Sequence, residues 1–330
     1  MKRYNEWGTL SMRRPLLVIS AAMSLSCYVQ SNYPSQPVRL IVGFPAGGPT
    51  DVVARAIADG LGQCMGQPFI IENKPGAGSN IAAEYVARAR PDGYTLLVAA
   101  TNQTINAALY KNLRFDLQKD LSPIAVVATT PTVLVTKNAF PAKSYQDFVS
   151  TVQAAPGRYS YASGGVGGTP HLAGERFKLK TNTSIVHIPY KGAAPAIADL
   201  MGGQIDMSFA TLASVLAQVK AGQVRAIAVA APQRNSFLPS VPTFSELGLR
   251  DFRVDAWFGL MVPSGTPSDI TERLRAEVEI VTSSPVFQER MRAAGLDPAI
   301  DSNPAEFKKQ LDSEIALFRN VIQTNHIVAE

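Results

Sequence analysis

VRLIVGFPAGGPTDVVARAI, residues Val38 to Ile57, contains three structural signals in succession. Val38 to Phe44 is an apolar, β-branched run that reads as a buried strand. Pro45, Gly47, Gly48 and Pro49 then stop it, because they remove backbone donors or need unusual dihedral angles. Thr50 or Asp51 can cap a helix whose apolar positions are Val52, Val53, Ala56, Ile57 and Leu61. A strand, a glycine loop and a helix start in that order aim free N–H groups and the positive end of a helix dipole at one point. Such a point attracts anions. Asp51 is expected to cap this helix and not to touch the anion, which its carboxylate would repel.

Working outward, strands and helices alternate. Ile70 to Asn73 ends a second strand, and KPGAGSN (Lys74 to Asn80) is another glycine loop before a helix that runs through Ala89. TLLVAA (Thr95 to Ala100) is a buried strand followed by a polar stretch, Thr101 to Asn106. Ile124 to Thr129 and Val133 to Thr136 read as two separate strands around Pro131. RYSYASGGVGGTPHLAGERF (Arg158 to Phe177) repeats the opening device: a short strand to Ala162, a glycine-rich loop, and a helix near Pro170, where proline suits the first turn. Val224 to Ala231 and Phe258 to Pro263 are further buried strands, and a short helix is expected at Thr243 to Leu247. Three helices, Ser268 to Thr282, Pro285 to Ala294 and Pro304 to Gln323, close the chain.

This alternation predicts an α/β protein with parallel-rich sheets, flanking helices and ligand binding at the carboxyl ends of strands. A length of 330 residues favours two lobes over one core. The expected division is 33–125 plus 225–290 for the first lobe and 126–224 for the second. The strand at Val224 would return the chain to the first lobe, and the helices of 291–330 are left unassigned. The two glycine loops, one per lobe, would face each other across a central cleft.

Residues 1–31 read as an export signal: Arg13 and Arg14 precede an apolar segment, Leu16 to Leu25, too short to span a bilayer. Met12, directly before Arg13, is a candidate start, and Cys27 a weaker candidate for a lipid anchor. Without residues 1–31 the net charge falls from +5 to +2, which makes no case for nucleic acid. If Cys27 leaves with the leader, Cys64 is the only thiol; beside Met65 at a helix end, it fits a buried one.

Several chemistries are excluded by spacing. In ASGGVGGTPH (Ala162 to His171) the third position of a dinucleotide fingerprint is Pro170, no GK[ST] follows, and no GxSxG elbow occurs in the chain. His171, His187 and His326 lack neighbours at metal-ligand spacing, so no metal and no cofactor is expected. His171 falls in a first helical turn, where orienting the loop is its expected role. A Ser163–His171 hydrolase pair lacks an orienting third group. Tyr190 and Lys191 lie on the turn PYKG, Lys191 being expected to be solvated, and Trp257 could pack internally or wall a cleft.

The blocks YPSQPVRLIVGFPAGGPTDVVAR, IIENKPGAGSNIAAEYVARARPDGYTLL, YASGGVGGTPHLAGERF, HIPYKGAAPAIADLMGGQIDMSF and WFGLMVPSGTP stand in the order seen in the Bug receptors. The chain resembles these periplasmic solute-binding proteins of tripartite tricarboxylate transporters over nearly all of its length after the leader. The resemblance implies a two-lobed periplasmic-binding-protein fold (type II-like) that closes on a small organic acid and hands it to membrane transporter subunits, as a monomer and without catalysis. A ligand-binding sensor for a signalling kinase is the alternative. It implies too that the loops Phe44–Pro49 and Ser163–Thr169 hold a ligand carboxylate, largely through backbone N–H groups. The candidate contacts are then Phe44, Ala46, Gly47, Gly48, Ser163, Gly164, Gly167, Gly168 and Thr169, with Tyr190 and Trp257 beside them and Asp51 and His171 as structural supports. Gly164, Gly168 and Pro49 depart from residues common in the family, so the resemblance does not name the acid.

Overall fold

The computed structural model describes residues 33–190, 192–250, 252, 254–300, 302–324 and 327–328. The expected export signal, with Met12 and Cys27, lies outside them, as do Lys191 and His326.

The first lobe opens with β1 (Val38–Val42), α1 (Pro49–Met65), β2 (Phe69–Asn73), α2 (Asn80–Ala87) and β3 (Thr95–Ala100). β1 pairs in parallel with β2 and β3. Its side chains alternate between two cores. Val38, Leu40 and Val42 join Val53, Ile57 and Leu61 of α1, while Ile41 faces Ala82, Ala83 and Val86 of α2. Burial on both faces is why the strand reads as an unbroken apolar run. α1 places Leu61 and Met65 inward, four residues apart, which turns Cys64 to the surface. The thiol is therefore exposed and not the core group expected from its neighbour.

Two short helices, α3 (Asn102–Leu109) and α4 (Leu117–Asp120), lead into β4 (Leu121–Lys137), the longest strand of the fold. The sequence suggested two strands separated at Pro131. The structure has one, and Pro131 marks the point where its partners change. A residue with no N–H fits there because no ladder bond is required of it.

The second lobe continues with α5 (Tyr145–Gln153), β5 (Ser160–Ser163), α6 (Thr169–Thr181), β6 (Val186–Pro189), α7 (Ala193–Met201), β7 (Met207–Thr211), α8 (Leu212–Lys220) and β8 (Val224–Ala230). β5 pairs in parallel with β6 and β7, and the end of β4 pairs antiparallel with β7 and β8. Phe148, Tyr161, Phe177 and Phe209 form this lobe's aromatic core, and Phe244 and Phe252 beyond β8 still belong to it. The segment expected to be a helix at Thr243 to Leu247 is a run of turns bridged to β8. The return to the first lobe is made not by β8 but by β9 (Asp255–Pro263), which pairs antiparallel with β3 and with the first half of β4.

β4 and β9 therefore join one curled sheet in the order β2-β1-β3-β9-β4-β7-β5-β6. α9 (Ser268–Ser283) and α10 (Pro285–Ala293) cover the first lobe, and β10 (Asp297–Pro298) adds to β4. α11 (Pro304–Thr324) packs against both α3 and α6: Phe318, Val321 and Ile322 meet Ile105 and Leu172. The last helix thus spans elements of both lobes behind the crossing strands.

Gly259 shows how tightly the crossing is packed. A Cβ there would lie 2.8 Å from the Ala125 carbonyl oxygen and 2.8 Å from the Phe307 ring. The carbonyl belongs to a paired strand and cannot retreat. Gly259→Ala is expected to destabilise the protein by about 1–3 kcal/mol in chemical denaturation, the usual cost of overpacking.

Candidate carboxylate site

β1 and β5 both lead into glycine loops, and the helices that follow start in the same way. Gly47 and Gly167 adopt φ of 86° and 73°, left-handed values that suit glycine. Gly48 and Gly168 follow as helix caps with extended dihedrals (φ −78°, ψ 169° and φ −75°, ψ 160°). Their carbonyls accept the first helical bonds, from Val52 N–H at 3.0 Å and Leu172 N–H at 3.1 Å.

In each loop a side chain in the first helical turn reaches back to the N–H of the left-handed glycine. Gly47 N–H donates to Asp51 Oδ2 at 3.0 Å, and Gly167 N–H donates to His171 Nδ1 at 3.0 Å. Asp51 is thus not the cap residue but the anchor of the loop. It also accepts from Arg55 Nε at 2.7 Å and from Asn73 Nδ2 at 3.0 Å. Burial alone would raise its carboxyl pKa, but the hydrogen bonds from Arg55, Gly47 and Asn73 outweigh that and hold it below the ordinary value. The Gly47 and Gly167 N–H groups are occupied by these bonds. The N–H groups left for an anion are those of the helix starts, Thr50 and Asp51 in α1 and Thr169 and His171 in α6, since Pro49 and Pro170 have none.

The second anchor depends on a neutral imidazole, because Nδ1 must accept. Burial, with Lys178 nearby, lowers the His171 pKa to about 4. His187 stacks on it with ring centroids 3.9 Å apart, and burial followed by His171 lowers its pKa to about 3. His187 Nε2 lies 2.7 Å from Ser163 Oγ, which also donates to the Gly165 carbonyl.

Phe44, Ala46 and Gly48 of the first loop and Gly168 and Thr169 of the second line a single cavity of about 580 Å³. Ala100, Thr101 and Asn102 before α3, Ala193–Pro195 at the start of α7, and Ala256 and Phe258 of β9 complete most of its wall. No lining residue carries a charged side chain.

The remaining sequence candidates lie outside the lining. Ser163 is 1% exposed and held by His187, so the hydroxyl supports the loop from behind. Gly164 backs onto α7, accepting from Gly192 N–H at 3.1 Å. Tyr190 donates to Asp199 Oδ2 at 2.7 Å and is not a wall of the cavity. Trp257 is fully buried, its Nε1 donating to Glu314 at 2.8 Å and its ring set edge-on to Phe307. Strand alternation explains this: Ala256 and Phe258 face the cavity, so Trp257 cannot. The polar stretch after Ala100, at the carboxyl end of a strand, was a signal for Thr101 and Asn102. Nothing in the sequence marks Ala193–Pro195 as wall residues.

The family described as tripartite tricarboxylate transporter family receptor matches residues 53–326. The chain belongs to this family. This receptor is 33% identical over 320 residues to Protein BugT of Bordetella pertussis, which covers 95% of this chain and 98% of BugT. Among solved structures, the Rhodopseudomonas palustris protein Rpa4515 with adipate superposes at a TM-score of 0.81 with 33% identity, covering 90% of this receptor and 99% of that chain. MatC from the same organism, with bound malate, superposes at 0.77 with 31% identity, covering 88% and 100%.

Protonating either stacked imidazole opposes its burial and, at His171, removes the acceptor for Gly167. Both folded pKa values lie below the ordinary 6.5, so the unfolded chain binds more protons in between and stability falls as pH drops. Denaturation midpoints are expected to fall from about pH 6.5 towards about pH 4, and His171→Asn, which can still accept from Gly167, should flatten that dependence.

Proposed function

We propose that this receptor binds a carboxylate between its two lobes and delivers it to a membrane transporter of the tripartite tricarboxylate type. The observation that carries the reading is that two helix starts of the same build line one cavity whose wall carries no charged side chain. Each presents unpaired N–H groups and a dipole end to the same space. Hydrogen bonds to a carboxylate contribute about 1.5–3 kcal/mol each, so a few suffice for micromolar binding without a cationic side chain. The relatives solved with adipate and malate hold acids that share two carboxylates on different carbon chains, which suits a site built on backbone donors. Holding one anion from both lobes would favour the closed arrangement about β4 and β9, and closure is what a transporter can read. The export signal read at Arg13–Leu25 would place the receptor in the periplasm, where such delivery takes place.

Gly168→Asp separates fold from function. The position has cap dihedrals and a Cβ would meet nothing closer than 3.6 Å, so aspartate fits and is a preferred cap. Its carboxylate would occupy the donors that the ligand needs. Unchanged or slightly raised thermal stability is expected, with carboxylate affinity reduced more than about tenfold in calorimetric titration. Retained affinity in a folded variant would show that the anion binds elsewhere.

A further inference from the structure

A separate cavity of about 480 Å³ lies where the connection from α3 to α4 meets α11, and it shares no lining residue with the carboxylate site. Its charge is also different. Lys111 and Arg114 of the connection and Arg319 of α11 line it, against a single carboxylate, Asp116. The segments that carry these cations are fixed to each other. Phe115 and Leu117 share one buried cluster with Leu311 and Ile315 of α11. Gln118 Nε2 donates to Asp312 Oδ1 at 2.6 Å, and Arg319 stands one turn beyond Ile315 on the same helix face. The carboxylates close by are already engaged. Asp116 caps α4, accepting from Gln118 N–H and Lys119 N–H, and pairs with Lys119 Nζ at 3.0 Å. Asp120 Oδ2 accepts from Asp116 N–H at 2.7 Å. The residues three and four places from Arg319 are Ile315, Ala316, Ile322 and Gln323, none of them acidic. Lys111, Arg114 and Arg319 therefore face one concavity without an ion-pair partner among the described residues.

We infer that this cavity is a second anion site, which takes a compact multivalent anion of the phosphate or diphosphate type on cationic side chains. The assignment stands apart from the carboxylate reading and does not depend on it. Three like charges around one space repel each other, and a multivalent anion placed between them converts that repulsion into attraction. A monovalent anion has charge for only one of the three. Two of the cations are arginines, whose planar forks give paired hydrogen bonds to phosphate oxygens. Tyr110 lines the same cavity, and its hydroxyl, which has no hydrogen-bond partner among the described residues, adds a further donor. The two sites thus differ in construction: the first is built on backbone N–H groups in a wall without charge, the second on side-chain charge. The same phosphate chemistry is offered by a free anion and by a lipid headgroup.

The probes are pyrophosphate and nitrate in calorimetric titration, and vesicles containing phosphatidic acid in co-sedimentation. Pyrophosphate is expected to bind at least about tenfold more tightly than nitrate. The double variant Arg114→Gln, Arg319→Gln should lose at least about tenfold in pyrophosphate affinity. Both side chains are exposed, so its thermal midpoint should be unchanged or slightly raised as the repulsion is relieved. Gly168→Asp, which lies in the other cavity, should leave pyrophosphate binding as it is. Pyrophosphate binding without co-sedimentation identifies a free anion as the occupant; co-sedimentation that the double variant abolishes identifies a headgroup. Pyrophosphate binding that survives in the double variant, nitrate binding as tightly as pyrophosphate, or no binding of either pyrophosphate or vesicles would overturn the assignment, and each leaves the carboxylate reading untouched.

Discussion

Two backbone N–H groups, those of Gly47 and Gly167, are each captured by a side chain in the helix that follows. On these bonds the remainder of the site depends. A left-handed glycine before a helix could adopt many geometries. Asp51 and His171 select one, and so fix the direction in which α1 and α6 present their remaining donors. The two lobes use different chemistry for the same purpose. Asp51 is a charged acceptor held by Arg55 and Asn73, whereas His171 is a neutral acceptor kept unprotonated by burial. Neither anchor needs to touch a ligand. In the proposed site both would keep a backbone surface ready and reduce what binding must spend on ordering the loops.

The crossing strands supply the second constraint. β4 changes partners at Pro131, and β9 returns beside it with Gly259 pressed against Ala125 and Phe307. Helix α11 packs behind this crossing onto α3 and α6. The apolar cluster around Ile105, Leu172 and Phe318 thus lies behind the strands that would act as the hinge in the proposed closure.

Much of this was legible in the residues because local signals and tertiary context agree. The run from Val38 to Phe44 is a strand buried on both faces, and the proline-glycine punctuation after it is a loop before a helix. Disagreements arise where a residue's type was read without its register. Trp257 suggested an aromatic wall, but strand alternation gives that wall to Phe258 and buries Trp257 against Glu314. Cys64 was read from its buried neighbour Met65, although helical spacing turns the two apart. Pro131 read as a break and is a change of partner. Val224 to Ala231 read as the return strand, yet strand pairing over long sequence distances is not encoded in a strand's own pattern. Ser163 belonged to the right loop, but its hydroxyl turns towards His187, which no local signal announces.

The central claim is that recognition is of a negative charge, made by helix starts from both lobes. It is tested most directly by calorimetric titration with benzoate and with benzamide, which share size and ring and differ in the charge of one group. The account predicts benzoate binding and a loss of at least about tenfold for benzamide, because charge-assisted bonds and the dipole contribution vanish together. Equal affinities for the acid and the amide would contradict it.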